Sequence, residues 1–581
     1  MIKAGASQIS ADKDSTISRP QRWNTPFDED MGDDQVAHIL TLAPFADMDA
    51  SRFPPALPLD GIIRNDTRRL RFQRGDMVVR AGDYGNSSFL ILNGSVGVIL
   101  PPGLPESMLG HAQTAKRGIG PTISRFFAKS AYPEVRISGG RYITNDVATR
   151  GSGVGTQVYL RDIDNVLENY QVATLATGEM FGEVAALART PRNASVFALE
   201  DVELLEIRWQ ALRDIRRQVN TYRQYIDKLY RERNLITHLR EIEVFKYLDD
   251  AVMEKIAEHT LFESFGSFDW HTAFKSRAKS GQQRESESAP IALEGDYVDG
   301  LLFIRSGFAK ITQRINNGHR SLSVLSSGGI FGLEEILHNS RNDNLISYQT
   351  GLYALGYSDV LRVPTRIIER FVIPSLPEKV FSDMRNRLQF RVRAEEKSSD
   401  HEALDADFLE FTVENRYING TATMMINLDR CIRCDECVKA CADTHHGNPR
   451  FVRHGLQHEN QMITNACMHC ADPVCMIGCP TGAIHRSELG GEVIINDTAC
   501  IGCASCANAC PYDNIRMVEI RGQEGAVVLD SETGTPILKA TKCDYCYNLP
   551  HGPACENACP HDALVRMNMS DSDALNEWLN K

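Results

Sequence analysis

The sequence predicts a multidomain α+β protein: two β-rolls with flanking helices, followed by a C-terminal domain organised by its cysteines. Three observations carry this. All sixteen cysteines of the 581-residue chain lie between Cys431 and Cys559, in four groups of four. From Leu70, short apolar and β-branched runs broken by Gly-Asp and Asn-Gly pairs mark a meander of strands. The plan of the first 240 residues then recurs, eroded, between residues 241 and 394.

Composition sets the frame. Apolar residues make 42% and charged residues 24% of the chain, the balance of a globular protein with several cores. A formal net charge of −13 argues against nucleic acid as a partner. No apolar run of about 18 residues exists to span a membrane, and no secretory h-region stands near the start, so a cytoplasmic protein is expected. Residues 1–36 are polar and aperiodic and read as a flexible lead-in.

Within residues 37–240 the first β-roll is built from LRFQRGDMVVRAGDYGNSSFLILNGSVGVIL and, further on, VATLATGEMFGEVAALARTPRNASVFALEDVELLEI. Between them, residues 101–170 form an insertion too long for a hairpin connection, able to cap a ligand or dock a partner. In the second piece Gly182 permits a turn into a short helix, and Arg192 offers a planar fork suited to phosphate oxygens. The two pieces resemble the cyclic-nucleotide-binding domain, most specifically at FGEVAALARTPRNASV, the length and order of that family's phosphate-binding cassette. The resemblance implies a regulatory ligand, cyclic AMP or cyclic GMP. It places Glu183 on the ribose 2′-hydroxyl, Arg192 on the phosphate, and Ala194 and Ser195 beside it through an N–H and a hydroxyl.

A helical stretch follows over about 208–240. Leu212, Ile215, Val219, Tyr222, Ile226 and Leu229 recur at three- and four-residue steps, a heptad seam. The seam suits a homodimer helix or a helix packed on its own chain. Arg208, Arg213, Arg216, Arg217, Arg223 and Lys228 take the other faces, expected to be solvated. In the second copy Leu333 stands where Glu183 stands in the first, and Asn342 is aligned with Arg192, with Arg341 one residue away. This β-roll is expected to keep its fold and to have lost nucleotide binding. Residues 395–407, charged and small, read as a linker.

The cysteine groups of residues 408–581 are Cys431, Cys434, Cys437 and Cys441; Cys467, Cys470, Cys475 and Cys479; Cys500, Cys503, Cys506 and Cys510; and Cys543, Cys546, Cys555 and Cys559. The first and third have the C-x2-C-x2-C-x3-C run of bacterial ferredoxins; the others lengthen only the middle gap. Pro480, Pro511 and Pro560 follow three of the fourth cysteines. Disulfides would need an oxidising compartment, and structural zinc sites seldom use such quartets. Sixteen thiolates at four per cubane give four 4Fe–4S clusters.

This segment resembles the four-cluster electron-transferring subunits of molybdopterin oxidoreductases of the dimethyl-sulfoxide-reductase type, through CMHC, CPTGAI, CIGC and KCDYC followed by GPAC. The resemblance implies a double ferredoxin-like domain in which outer groups pair with outer and inner with inner. Cys559 then joins Cys431, Cys434 and Cys437, and Cys441 joins Cys543, Cys546 and Cys555. Cys510 joins Cys467, Cys470 and Cys475, and Cys479 joins Cys500, Cys503 and Cys506. Lys542, beside a ligand, either raises a cluster's potential or stands in solvent. No flavin, nicotinamide or molybdopterin motif is evident and no catalytic residue is assigned, so catalysis is expected in a partner oxidoreductase subunit. The expected function is electron transfer under cyclic-nucleotide control, with a redox or oxygen sensor reporting through the β-rolls as the alternative.

Overall fold

The computed structural model describes residues 16–99, 104, 149–378 and 406–580, apart from 25, 153–154, 161–162, 189–190, 234, 247, 268–269, 281–287, 316–317, 488–489, 522–524 and 550. The linker expected at 395–407 lies outside the described residues but for its last two, which open the helix Ala406–Glu414, and most of the insertion lies outside them too; from the insertion's end come the hairpin Thr149–Ser152 with Gly155–Val158 and the helix Ile163–Asn169.

Each β-roll is a pair of four-stranded antiparallel sheets. In the first, one sheet runs Thr67–Phe72, Val202–Arg208, Ser87–Asn93, Met180–Phe181, and the other Met77–Val79, Ser195–Ala198, Ser95–Ile99, Val172–Ala176. The alternating and all-apolar runs bury Phe89, Ile91, Val96, Val196 and Leu204 between the sheets. Gly94 holds the turn at φ +89°, where a Cβ would collide with the Asp201 carbonyl. The second β-roll repeats the strand order: Leu261–Phe265, Ser358–Pro364, Gly300–Ser306, Ile330–Phe331, and Ala289–Ala292, Gly351–Ala354, Ala309–Ile315, Gly318–Leu325. Its own departure is the helix Trp270–Ser280, inserted where the first β-roll has only a tight turn between Phe72 and Met77.

Register between the copies corrects one expectation. Phe89 pairs with Phe181 as Leu302 pairs with Phe331, so Ser87 corresponds to Gly300. Ala198 pairs with Val96 as Ala354 pairs with Ala309, so Arg192, three residues before its strand, corresponds to Tyr348 and not to Asn342. Asn342 instead caps its own helix at the His338 carbonyl, and Arg341 pairs with Glu378. Extra residues between helix and strand in the second copy shift the linear alignment.

Between the β-rolls the chain is not one continuous helix: Trp209–Gln218 ends before Asn220–Arg233, and Leu235–Glu241 follows. Val219 breaks the first two with extended backbone. All six seam residues are buried within the chain, packed with Ile39, Ile62, Met476, Ile484 and Val493. The seam is therefore consumed internally rather than held open for a second copy. Its arginines are not uniformly solvated either. Arg208 donates to the Thr481 carbonyl at 3.0 Å and Arg213 to that of Ile477, tying the first β-roll to the C-terminal domain.

Nor is the whole lead-in loose. Thr16–Ile17 pairs in parallel with Leu529–Asp530, and Arg22 bridges the buried Asp66 and Asp214. A charge brought to two buried carboxylates anchors a segment that has no apolar period of its own. Residues 1–15 lie outside the described residues.

The C-terminal domain has one four-stranded sheet, ordered Val452–His458, Gln461–Asn465, Thr423–Asn427, Leu564–Met567, and two hairpin-like pairs, Ile484–Arg486 with Val493–Ile495 and Arg516–Glu519 with Leu538–Thr541. Its strands are short because the loops between them carry the cysteines.

Candidate metal centres and nucleotide cassette

Every cysteine group opens with C-x2-C, and in all four the residue before the second cysteine is left-handed: Arg433, His469, Gly502 and Tyr545, with φ between +50° and +70°. Such a reversal turns successive backbone N–H groups toward one side, a nest for anionic sulfur. A short helix carries later cysteines of each group: Glu436–Thr444, Val474–Ile477, Ser505–Ala509 and Ala554–Asn557. The first of these packs on the fourth and the second on the third.

The consequence is four convergent sulfur sets. Cys431, Cys434, Cys437 and Cys559 line one cavity, and Cys479, Cys500, Cys503 and Cys506 line another. Cys470 faces Cys467, Cys475 and Cys510, and Cys555 faces Cys543, Cys546 and Cys441. Cys434 and Cys503 are exposed, one in each cavity-lining set, whereas the other two sets have no exposed member. No disulfide joins any of the sixteen.

Burial, with neighbouring thiols adding, pushes the Cys441, Cys506 and Cys546 thiols up to about 12. Buried thiols gathered in fours are sites that a metal centre completes by taking the sulfurs as thiolates. Backbone N–H groups already address the sulfurs: Arg450 donates to Cys441 Sγ at 3.2 Å and Ala563 to Cys559 Sγ at 3.3 Å. The donor set thus fits 4Fe–4S clusters.

Two buried cations stand between the two sets that have no exposed member. Lys542 is not solvated: its Nζ donates to the carbonyls of Cys543 and Val493. Arg566 donates to Cys543 Sγ at 2.7 Å and to the Cys467 carbonyl at 3.3 Å. Sequence reasoning missed Arg566, whose only local signal is a charged residue in the otherwise apolar strand Leu564–Met567. His469 accepts the Val493 N–H at Nδ1, and burial, then the charge of Lys542, lowers its pKa well below the usual range. Lys275, from the inserted helix of the second β-roll, reaches the carbonyls of Ala507, Asn508 and Cys510 at 3.2–3.4 Å and pairs with Asp513.

In the first β-roll, Gly182 has φ +80° and opens the helix Glu183–Ala188. Glu183 is 2% exposed, and its Oε2 has no hydrogen-bond partner among the described residues. Burial raises its pKa against the opposing pull of its backbone N–H, Arg233 and Arg192. A buried carboxylate oxygen lacking a donor fits a ligand hydroxyl. Arg192 donates to the Gly182 carbonyl at 2.7 Å and the Ser87 carbonyl at 2.6 Å, its fork fixed at the cassette. Ser195 is turned to the fold, accepting the Ala81 N–H at 3.0 Å, and Ala194 is half-buried beside it. In the second β-roll Leu333 is buried where Glu183 stands. There the Tyr348 hydroxyl donates to the Gly300 carbonyl at 2.8 Å, the counterpart of the Ser87 carbonyl. A neutral phenol has replaced the guanidinium.

Comparison with known proteins agrees with this division. The family model of the cyclic nucleotide-binding domain matches residues 163–219 and 286–372, and that of the 4Fe-4S dicluster domain matches 458–571. The putative electron transport protein YsaA of Escherichia coli is 33% identical over 27% of this chain and 91% of its own length. The B subunit of the anaerobic dimethyl sulfoxide reductase of Haemophilus influenzae is 35% identical over 23% of this chain and 68% of its own. The putative oxidoreductase AegA of E. coli is 35% identical over 26% of this chain, which spans only 21% of that relative. Among solved structures, the regulatory domain of Toxoplasma gondii PKA with cAMP aligns over 61% of this chain and 96% of its own at 13% identity, with a TM-score of 0.21. The β-roll assignment rests on the sheet order and the family model. Among the described residues no helix is long and apolar enough to cross a membrane.

Proposed function

Because the chain belongs to the ferredoxin-like 4Fe–4S electron-transport proteins and carries cyclic nucleotide-binding domains, we propose that it passes single electrons through four 4Fe–4S clusters to or from a catalytic oxidoreductase subunit, under control of a cyclic nucleotide held by the first β-roll. The observation that carries the electron-transfer half is the disposition of the sulfur sets, two with an exposed cysteine and two without. That is the layout of a wire with two ends.

Cys431, Cys434, Cys437 and Cys559 hold one end cluster, and Cys479, Cys500, Cys503 and Cys506 the other. Cys441 with Cys543, Cys546 and Cys555, and Cys467 with Cys470, Cys475 and Cys510, hold the inner pair. The clusters supply one-electron redox steps; the chain orients them and sets their potentials through N–H groups and buried cations. Glu183 and Arg192 take the nucleotide's ribose hydroxyl and phosphate, with Gly182, Ala194 and Ser195 shaping the cassette. Ligand thiols must stay reduced, which suits a cytoplasmic home.

The test combines iron and sulfide analysis of anaerobically purified protein with rapid-reaction reduction, with and without saturating cyclic AMP or cyclic GMP. Four clusters per chain and a nucleotide-dependent rate are expected. Fewer clusters, or rates unchanged while calorimetry shows nucleotide bound, would sink the corresponding half. A sensor reading has one observation in its favour: the apolar core shared by the first β-roll and the cluster domain lets cluster state reach the β-roll. Clusters that exchange no electrons with any oxidoreductase yet alter nucleotide affinity would select it.

A further inference from the structure

We propose that the loop Tyr84–Gly85–Asn86, seated between Arg192 and Arg486, is a lever that couples the nucleotide cassette to the cluster set containing Cys470. The proposal rests on the reading of the first β-roll as a nucleotide site and names the route by which that site acts.

On one side the loop touches the cassette directly. A Cβ added at Gly85 would collide with the Arg192 guanidinium, so the glycine backbone lies flat against the fork. The backbone of Arg192 is also tied to the start of the same turn: its N–H donates to the Asp83 carbonyl at 2.7 Å and its carbonyl accepts the Gly82 N–H at 2.8 Å. The carbonyl that receives Arg192 Nη2 belongs to Ser87, the next residue along. A phosphate that draws the fork toward itself competes with that carbonyl and moves the surface on which Gly85 rests.

On its other side the loop grips the cluster domain. The Asn86 side chain donates to the Arg486 carbonyl at 2.8 Å and accepts the Arg486 N–H at 3.2 Å, as a strand would. The Tyr84 ring lies 4.8 Å from the Arg486 guanidinium and packs so closely on Gly491 that no Cβ fits there. Arg486 is itself 3% exposed. Its Nη2 donates to the carbonyls of Cys470 and Ala471 at 2.8 and 2.7 Å, and its Nη1 to that of Gly491 at 2.7 Å. Thus two arginines and three loop residues connect the cassette to the loop holding a metal-site sulfur, without a gap.

A second contact falls on the same sulfur set. Lys275 of the other β-roll donates to the carbonyl of Cys510, which faces Cys470. Both β-rolls therefore meet the electron-carrying domain at the set of Cys467, Cys470, Cys475 and Cys510. Coupling of this kind is reciprocal: if nucleotide changes the redox equilibrium of that cluster, oxidation state changes nucleotide affinity by the same factor.

The experiment measures cyclic AMP and cyclic GMP dissociation constants by anaerobic calorimetry on the full cluster-loaded chain, oxidised and dithionite-reduced. The parent is compared with Asn86→Ala and Tyr84→Leu. The parent should show affinities differing about fivefold or more between redox states. Each variant should bind nucleotide with a ratio near one while keeping parental iron content and melting midpoint. Asn86→Asp, which retains the acceptor, should show an intermediate ratio and covers the case in which Asn86→Ala fails to load. A parent ratio of one with nucleotide bound overturns the lever and leaves the nucleotide site standing. A ratio unchanged in the loaded variants overturns it equally. Absence of nucleotide binding in the parent ends the nucleotide reading and the lever with it.

Discussion

Glu183 carries a structural cost beside the binding role proposed for it. Its folded pKa is raised, so the folded state holds the proton more tightly than the unfolded chain. Stability is then highest below the unfolded pKa and falls as pH rises through the folded value, the reverse of a salt-bridged carboxylate. Glu183→Gln should therefore stabilise the ligand-free protein by about 1 kcal/mol near neutral pH and flatten its dependence on pH above 4 or so, read by thermal melts across pH. The same change should weaken nucleotide binding. Arg192→Ala should weaken it by at least about tenfold, the worth of a charge-assisted hydrogen bond, read by calorimetry. Lys275→Met removes a positive charge and three carbonyl contacts beside Cys510. Redox titration followed by electron paramagnetic resonance should then show one cluster shifted to lower potential, and Lys275→Arg should restore most of the shift.

At the scale of elements, a heptad pattern proved a poor guide to what lies across from it. Leu212, Ile215, Val219, Tyr222, Ile226 and Leu229 have the spacing of a dimer seam, yet a β-roll, the helices around Ile39 and Ile62 and the cluster domain already cover them. Periodicity says which face is apolar and nothing about the partner. Ile215→Ala should cost about 2–5 kcal/mol by leaving a cavity, with no change of mass in analytical ultracentrifugation. The second β-roll fills the counterpart of Arg192 differently. The Tyr348 ring lies tilted 5.2 Å from that of Phe331 and its hydroxyl closes on the Gly300 carbonyl, so the position that holds Arg192 in the first copy has become core. Tyr348→Phe should cost about 1 kcal/mol for the lost hydrogen bond and leave the first β-roll's nucleotide affinity untouched.

At the scale of the molecule, one apolar core runs from the helices of the first β-roll to Cys479, Cys500, Cys506 and Cys510. Sulfur sets and β-roll therefore share their packing. Removing clusters with chelator and oxidant should loosen more than the cysteine loops. Limited proteolysis should then cut first near Tyr84–Asn86 and Ser487–Gly491, with saturating nucleotide slowing the first cut.

Much of this is legible in the sequence. The cysteine quartets and their iron–sulfur chemistry, the paired β-rolls and the loss of Glu183's counterpart at Leu333 all follow from residues close in sequence. Loop turns, strand alternation and ligand spacing act over a few residues, where local sterics and bonding dominate. Only the tertiary structure decided what those elements touch. Tyr348 in place of Arg192, the buried role of Lys542 and Arg566, the seam turned inward and Arg486 under Tyr84 depend on pairings across as many as 400 residues. Such contacts are selected by which surfaces fill one another's volume, a property that no local pattern records.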